Sequence, residues 1–144
     1  MTQYLDSSAL LAVLMDEPTA DVIGAALAAD ADWVTGRHTY VEVRRTIAGS
    51  VASERIDAAR ATFADYWART TIIELDQPLC ALAADLAERT RLRTLDALHL
   101  AAARHAAGDE VTILTLDHRL RDAAQALGMS TRGADAVDPP SPAT

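Results

Sequence analysis

Residues 111–120 read VTILTLDHRL, a run that begins as a β-branched, apolar strand and breaks at Asp117 into a polar helix start. Val111–Leu116 has the composition of a buried strand, too short for a helix of ordinary length. An Asp closing such a strand and opening a helix is one half of a strand–helix unit. The same grammar recurs at the N-terminus, where Gln3–Asp6 is a short apolar strand followed by a helix from about Ser8 to Asp16. Working inward, Thr19–Ala29 is the next helix and Asp32–Thr35 (DWVT) a second strand. Tyr40, Val43, Ile47 and Val51 then recur at helical spacing. Ser53 is a candidate N-cap for a long helix through Trp67, and Thr71–Leu75 (TIIEL) is strand-like. Asp76 opens a helix to about Thr90, and Thr94 opens another to Ala107 with Gly108 behind it. After Asp117 comes a last helix to Leu127 and a short strand around Ser130–Arg132. Strands separated by helices pair in parallel with helices on both faces. The expectation is one α/β domain over residues 1–133, a three-layer α/β/α sandwich on a mainly parallel sheet. The Pro-rich tail, 134–144, reads as disordered.

Composition narrows the classes. Half of the 144 residues are apolar and none of the apolar runs is long enough to span a bilayer, so no membrane role is expected. The N-terminus lacks the basic segment of a signal peptide, and Cys80 is the sole cysteine, which excludes an intrachain disulfide and makes the cytoplasm the default location. The net charge is −8, and every basic side chain is Arg. An acidic chain lacks the usual footprint of a nucleic-acid binder. A carboxylate cluster neutralised by a cation would account for part of that charge, and the arginines are locally grouped, as at Arg89, Arg91 and Arg93.

In a parallel sheet the functional crevice lies beyond the carboxyl ends of the strands, the edge to which helix N-termini also point. Asp6 and Asp117 end strands there, while Glu42 and Asp96 fall in the first turns of helices. Each has a plainer explanation. Asp6 and Asp117 are well placed as caps. Glu42 stands three residues after Thr39, the capping-box spacing. Asp96 suits a helix N-terminus electrostatically. The plain explanations account poorly for TLDALHLAAA (94–103), where Asp96 is set among Leu95, Leu98 and Leu100. His99, one turn on, reads as a packing or hydrogen-bonding residue. Four converging carboxylates would repel unless a cation sat among them, and an all-oxygen set suits Mg2+ or Mn2+ better than zinc. Such ions bind phosphate oxygens and generate a nucleophile from water, so phosphodiester hydrolysis is the natural chemistry. Ser7 and Thr115 could orient the acids or serve as local backbone caps.

YLDSSALLAVL (4–14), YVEVRRTI (40–47), LDALHLAAA (95–103) and ILTLDHRL (113–120), in that order, resemble the PIN-domain family. More narrowly they resemble the toxin subunits of VapBC toxin–antitoxin pairs, over residues 3–133. The resemblance implies that Asp6, Glu42, Asp96 and Asp117 are the family's acidic quartet, with Ser7 and Thr115 at its hydroxyl positions. It further implies an endoribonuclease dependent on Mg2+ or Mn2+ that leaves a 5′-phosphate and a 3′-hydroxyl. A homodimer and a cognate VapB-like antitoxin, whose basic C-terminal segment covers the acidic pocket, are implied as well. Leu120 departs from the family in replacing an aromatic residue. Rival readings fare worse. A haloacid-dehalogenase phosphatase needs a second Asp where Ser8 stands, and a receiver domain needs a Lys, which this chain lacks. No glycine-rich nucleotide loop is present. A catalytically idle PIN fold that only binds a partner remains the alternative.

Overall fold

A computed structural model describes residues 1–134; the tail read as disordered lies, from residue 135 on, outside the described residues. Strand β1 (Thr2–Leu5) leads into helices α1 (Ser7–Leu14) and α2 (Ala20–Ala29), then β2 (Trp33–Gly36). Helices α3 (His38–Ser50) and α4 (Ile56–Ala68) precede β3 (Thr71–Ile73), and α5 (Gln77–Thr90) and α6 (Thr94–Ala107) precede β4 (Val111–Thr115). Helix α7 (His118–Ala126) and β5 (Ser130–Gly133) close the chain. The sheet order is β3-β2-β1-β4-β5 and every pairing is parallel, as the alternation of strands and helices requires. Among the described residues no helix is long and apolar enough to cross a membrane.

The sheet is covered on both faces, and the pleat assigns neighbours to opposite cores. Tyr4 and Ile113 pack with α5, α6 and α7, whereas Leu5 and Leu114 pack with α1 to α4. Helix α6 approaches closely because Ala97, Ala101, Ala102 and Ala103 present almost no side-chain bulk and are buried. The chain winds outward from β1 to β2 and β3, crosses over, and winds outward again through β4 and β5. The direction therefore reverses on either side of β1. That reversal opens a crevice at the carboxyl ends of β1 and β4, where Leu5 pairs with Leu114 and the next residues diverge.

Two local expectations resolve differently. Ser53 begins a short 3-10 turn, Ser53–Arg55, with no side-chain cap bond, and α4 starts only at Ile56. The Thr39–Glu42 capping box does not form, because α3 begins at His38 and Thr39 already lies inside the helix. The Thr39 hydroxyl is instead bonded to the Thr35 hydroxyl at 2.8 Å, and Glu42 falls beyond the first turn. Asp76 behaves as read, accepting the Leu79 N–H at 3.0 Å.

The β4–β5 edge depends on Gly133, whose φ of +113° is hostile to side chains and whose Cβ would come 2.8 Å from the Thr115 carbonyl oxygen. Gly128 also has a positive φ, +79°, but faces open space. Gly133→Ala is therefore expected to lower stability by about 2–3 kcal/mol and Gly128→Ala by about 1 kcal/mol in denaturant unfolding. Equal losses would show that the close approach at Gly133 is without consequence.

Candidate functional site

Asp6 follows the last residue of β1 and is buried, with 5% of its surface exposed. Its backbone leads into α1, but its side chain makes no cap bond to that helix. Three other groups hold it. The hydroxyls of Ser8 and Thr115 donate to Oδ2 at 2.6 and 2.8 Å, and His99 Nε2 lies 3.1 Å from Oδ1. Ser7, the expected support, reaches only 3.5 Å. The hydroxyl that serves Asp6 best is thus one residue further along. Ser8 and Thr115 are themselves fixed from behind, accepting the N–H of Leu116 and of Asp117 at 2.9 and 3.0 Å. The two strand ends are consequently stitched together by hydroxyls whose donor capacity is directed at one carboxylate.

Asp117 caps α7, accepting the Arg119 N–H at 2.8 Å. The plain reading of that residue is therefore realised, yet its charge also bears on the crevice. Asp96, half-buried in the first turn of α6, is the acid that reports this. Its pKa is raised, first by burial and next by the charges of Asp117, Asp6 and Glu42. Among the described residues, His99 is the group that opposes this shift. Asp6, Glu42 and Asp117, from three other segments, thus act electrostatically on Asp96 at the edge where the strands end.

Glu42 joins the group through a histidine. His99 Nε2 lies 2.7 Å from Glu42 Oε1 and 3.1 Å from Asp6 Oδ1, so its ring bridges the two acids. Its Nδ1 is held 2.7 Å from the Tyr4 hydroxyl, which in turn accepts the Gly36 N–H at 3.1 Å. Burial works against the protonated ring, but Asp6, Glu42 and Asp96 outweigh it and the His99 pKa is raised. A ring flanked by two carboxylates at one nitrogen presents its Nε2–H to them and softens their mutual repulsion. Burial, reinforced by the nearby carboxylates, also pushes the Tyr4 hydroxyl up, which keeps it a neutral partner. His38, four residues before Glu42 on the same face of α3, lies behind this group with its ring centroid 4.1 Å from that of His99.

Sequence reading thus anticipated Asp6, Asp96, Asp117 and Glu42 at one edge, and Thr115 as a support. It undervalued His99 and passed over Ser8, Tyr4 and His38. The usable signals were spacings: His99 three residues after Asp96, and His38 four before Glu42.

Carboxylates at the strand ends, with the proton affinity of Asp96 raised by burial and by the charges of the others, have the chemistry that would suit a hard divalent cation. Known proteins agree with that architecture. The PIN domain family description matches residues 3–126. Ribonuclease VapC46 of Mycobacterium tuberculosis is 35% identical over 127 residues, covering 88% of this chain and 93% of that protein. Ribonuclease VapC47 from the same species is 31% identical over 93% of this chain and 98% of its own length. Among solved structures, FitAcB from Neisseria gonorrhoeae superposes with a TM-score of 0.74 at 17% identity, over 94% of this chain and all of that one. DNA-bound VapBC from Salmonella typhimurium gives 0.68 at 16% identity, covering 92% and 97%. With the profile spanning most of the sequence and the strand-end carboxylates in place, this chain belongs to the PIN-domain family.

Proposed function

We propose that this protein is a metal-dependent endoribonuclease, the toxin of a toxin–antitoxin pair. The observation that carries the reading is the placement of Asp6, Asp96, Asp117 and Glu42 at one edge of the sheet, with Asp6 and Glu42 bridged by His99 Nε2 and the pKa of Asp96 raised by burial and its acidic neighbours. The family and the names of its ribonuclease relatives support the substrate class. Asp6, Asp96, Asp117 and Glu42 would hold Mg2+ or Mn2+. The bound ion supplies charge neutralisation at phosphate oxygens and lowers the pKa of water for attack on phosphorus.

The protein's own groups set the conditions for that chemistry. Ser8 and Thr115 keep Asp6 in one orientation without offering it a full charge. Capping of α7 fixes the Asp117 carboxylate at Oδ1. His99 balances the negative cluster when no metal is present and yields that role to a cation. The VapBC, FitAB and toxin–antitoxin complexes among the structural relatives support a cognate antitoxin. A net charge of −8 suits a partner segment of opposite sign, delivered to the acidic crevice. A homodimer belongs to the same reading.

Two experiments test it. Purified cellular RNA incubated with wild type and Mn2+ is expected to show cuts bearing 5′-phosphates. Asp6→Asn should retain the fold and lose activity by about a hundredfold or more, since even supporting contacts at metal sites carry effects approaching that size. A folded wild type that cuts no RNA would favour the idle-partner alternative, and full activity in Asp6→Asn would remove Asp6 from the site. The second experiment uses thermal melting. A carboxylate whose folded pKa is raised destabilises the native state above its ordinary pKa, and the penalty fades as pH falls through that range. In chelator at neutral pH, Asp96→Asn should melt above wild type, with the gap closing on acidification. Saturating Mn2+ should reverse the order, because only wild type gains the full binding energy. An unchanged order on adding Mn2+ would separate Asp96 from the cation.

A further inference from the structure

His38 is not explained by the acidic quartet. It is 8% exposed, and neither ring nitrogen makes a hydrogen bond of full geometry; the groups nearest to it are the Leu95 backbone and, 3.9 Å from Nε2, the Glu42 carboxylate. A buried polar group that lacks a well-formed hydrogen bond is costly to keep, so a site that keeps one usually offers it something else. The ring is also accommodated with care. It occupies space that only a glycine leaves at position 36, where a Cβ would come 2.6 Å from His38 Cε1.

We propose that His38, His99 and Glu42 form a second cation site, suited to Zn2+, which shares Glu42 with the acidic quartet. One ligand atom from each of the three residues lies within 4.8 Å of the others. His38 Nε2 stands 3.9 Å from Glu42 Oε1, and His99 Nε2 stands 2.7 Å from the same oxygen. Zinc bonds of about 2.0–2.1 Å in a tetrahedron put ligand atoms roughly 3.3 Å apart. One gap therefore closes and the other opens, each by about half an ångström, which side-chain rotation supplies. The Tyr4 hydroxyl on His99 Nδ1 provides the outer-shell bond that leaves Nε2 as the ligating atom. Two imidazoles and a carboxylate, with a fourth position left for water, select zinc over Mg2+. A cavity of about 380 Å³ lined by His38, Glu42, Val41, Arg45, Thr46 and Leu95 lies against two of the three ligands.

Occupation displaces the proton from His99 Nε2, and it withdraws Glu42 from the hard-cation set. Zinc and Mn2+ therefore compete for Glu42, and each weakens binding of the other. The zinc site itself does not depend on the ribonuclease reading, since its ligands and its test are independent of RNA.

The test is a titration of the metal-free full chain with Co2+, which reports zinc-type coordination through its visible absorption. Wild type should develop the intense bands of a four-coordinate ion, and Zn2+ should abolish them. His38→Ala should lose those bands and bind Zn2+ at least about tenfold more weakly by calorimetry. It should remain folded in chelator and keep the Mn2+ affinity of wild type. Asp96→Asn should do the opposite, keeping the Co2+ bands while weakening Mn2+, so failure of either site is told apart from failure of the other. Weak six-coordinate bands in wild type, or bands and Zn2+ affinity unaltered in a folded His38→Ala, would overturn the proposal.

Discussion

Negative charge gathered at one edge of a sheet is the constraint around which this molecule is organised. Asp6, Glu42, Asp96 and Asp117 come from separate segments and act on a common space, so without a cation their repulsion must be met from within the protein. His99 meets it by standing between Asp6 and Glu42 at hydrogen-bond distance from both. Removing one partner from a buried ionic group typically costs about 3–5 kcal/mol, far more than an exposed pair contributes. The surface pair Arg37–Glu74 is of the exposed kind and carries no comparable weight. The charged crevice, by contrast, ties β1, α3 and α6 to one another.

The scaffold makes that arrangement rigid enough to be specific. Asp6 is placed by the β1–β4 ladder, and its orientation is fixed by hydroxyls that are themselves held by the backbone after β4. His99 is placed by an alanine-rich helix that can lie close to the sheet, and its tilt is fixed by Tyr4. Tyr4 in turn is seated against the end of β2 through Gly36. Acids and their supports thus share backbone elements, and a change in packing beneath the sheet would be felt at the crevice.

The same coupling explains how much of this was legible in the sequence. The alternation of β-branched runs with helical stripes announced a parallel α/β sheet, because period and connection length leave little other choice. VTILTLD and YLDSS announced carboxylates at strand ends for the same reason. Glu42 was harder to place, since Thr39 three residues earlier mimics a capping box that the Thr35 hydroxyl in fact forestalls. Ser7 and Ser8 could not be ranked from sequence, because which hydroxyl turns inward depends on the first turn of α1. His99 looked like a core residue and is one, at 1% exposed, but its partners come from residues 4, 6 and 42, a proximity that only the folded sheet creates. Spacing along the chain carries local geometry well and carries three-way meetings between distant elements poorly.

The most direct measurement of the central claim is anomalous diffraction from crystals of the full chain soaked in Mn2+. The account predicts a peak among the carboxylates of Asp6, Asp96 and Asp117, with Glu42 contributing directly or through water, and a His99 ring that has let go of at least one acid. Absence of any peak at the crevice under conditions where Mn2+ binds, or a peak coordinated by carboxylates elsewhere on the surface, would contradict it.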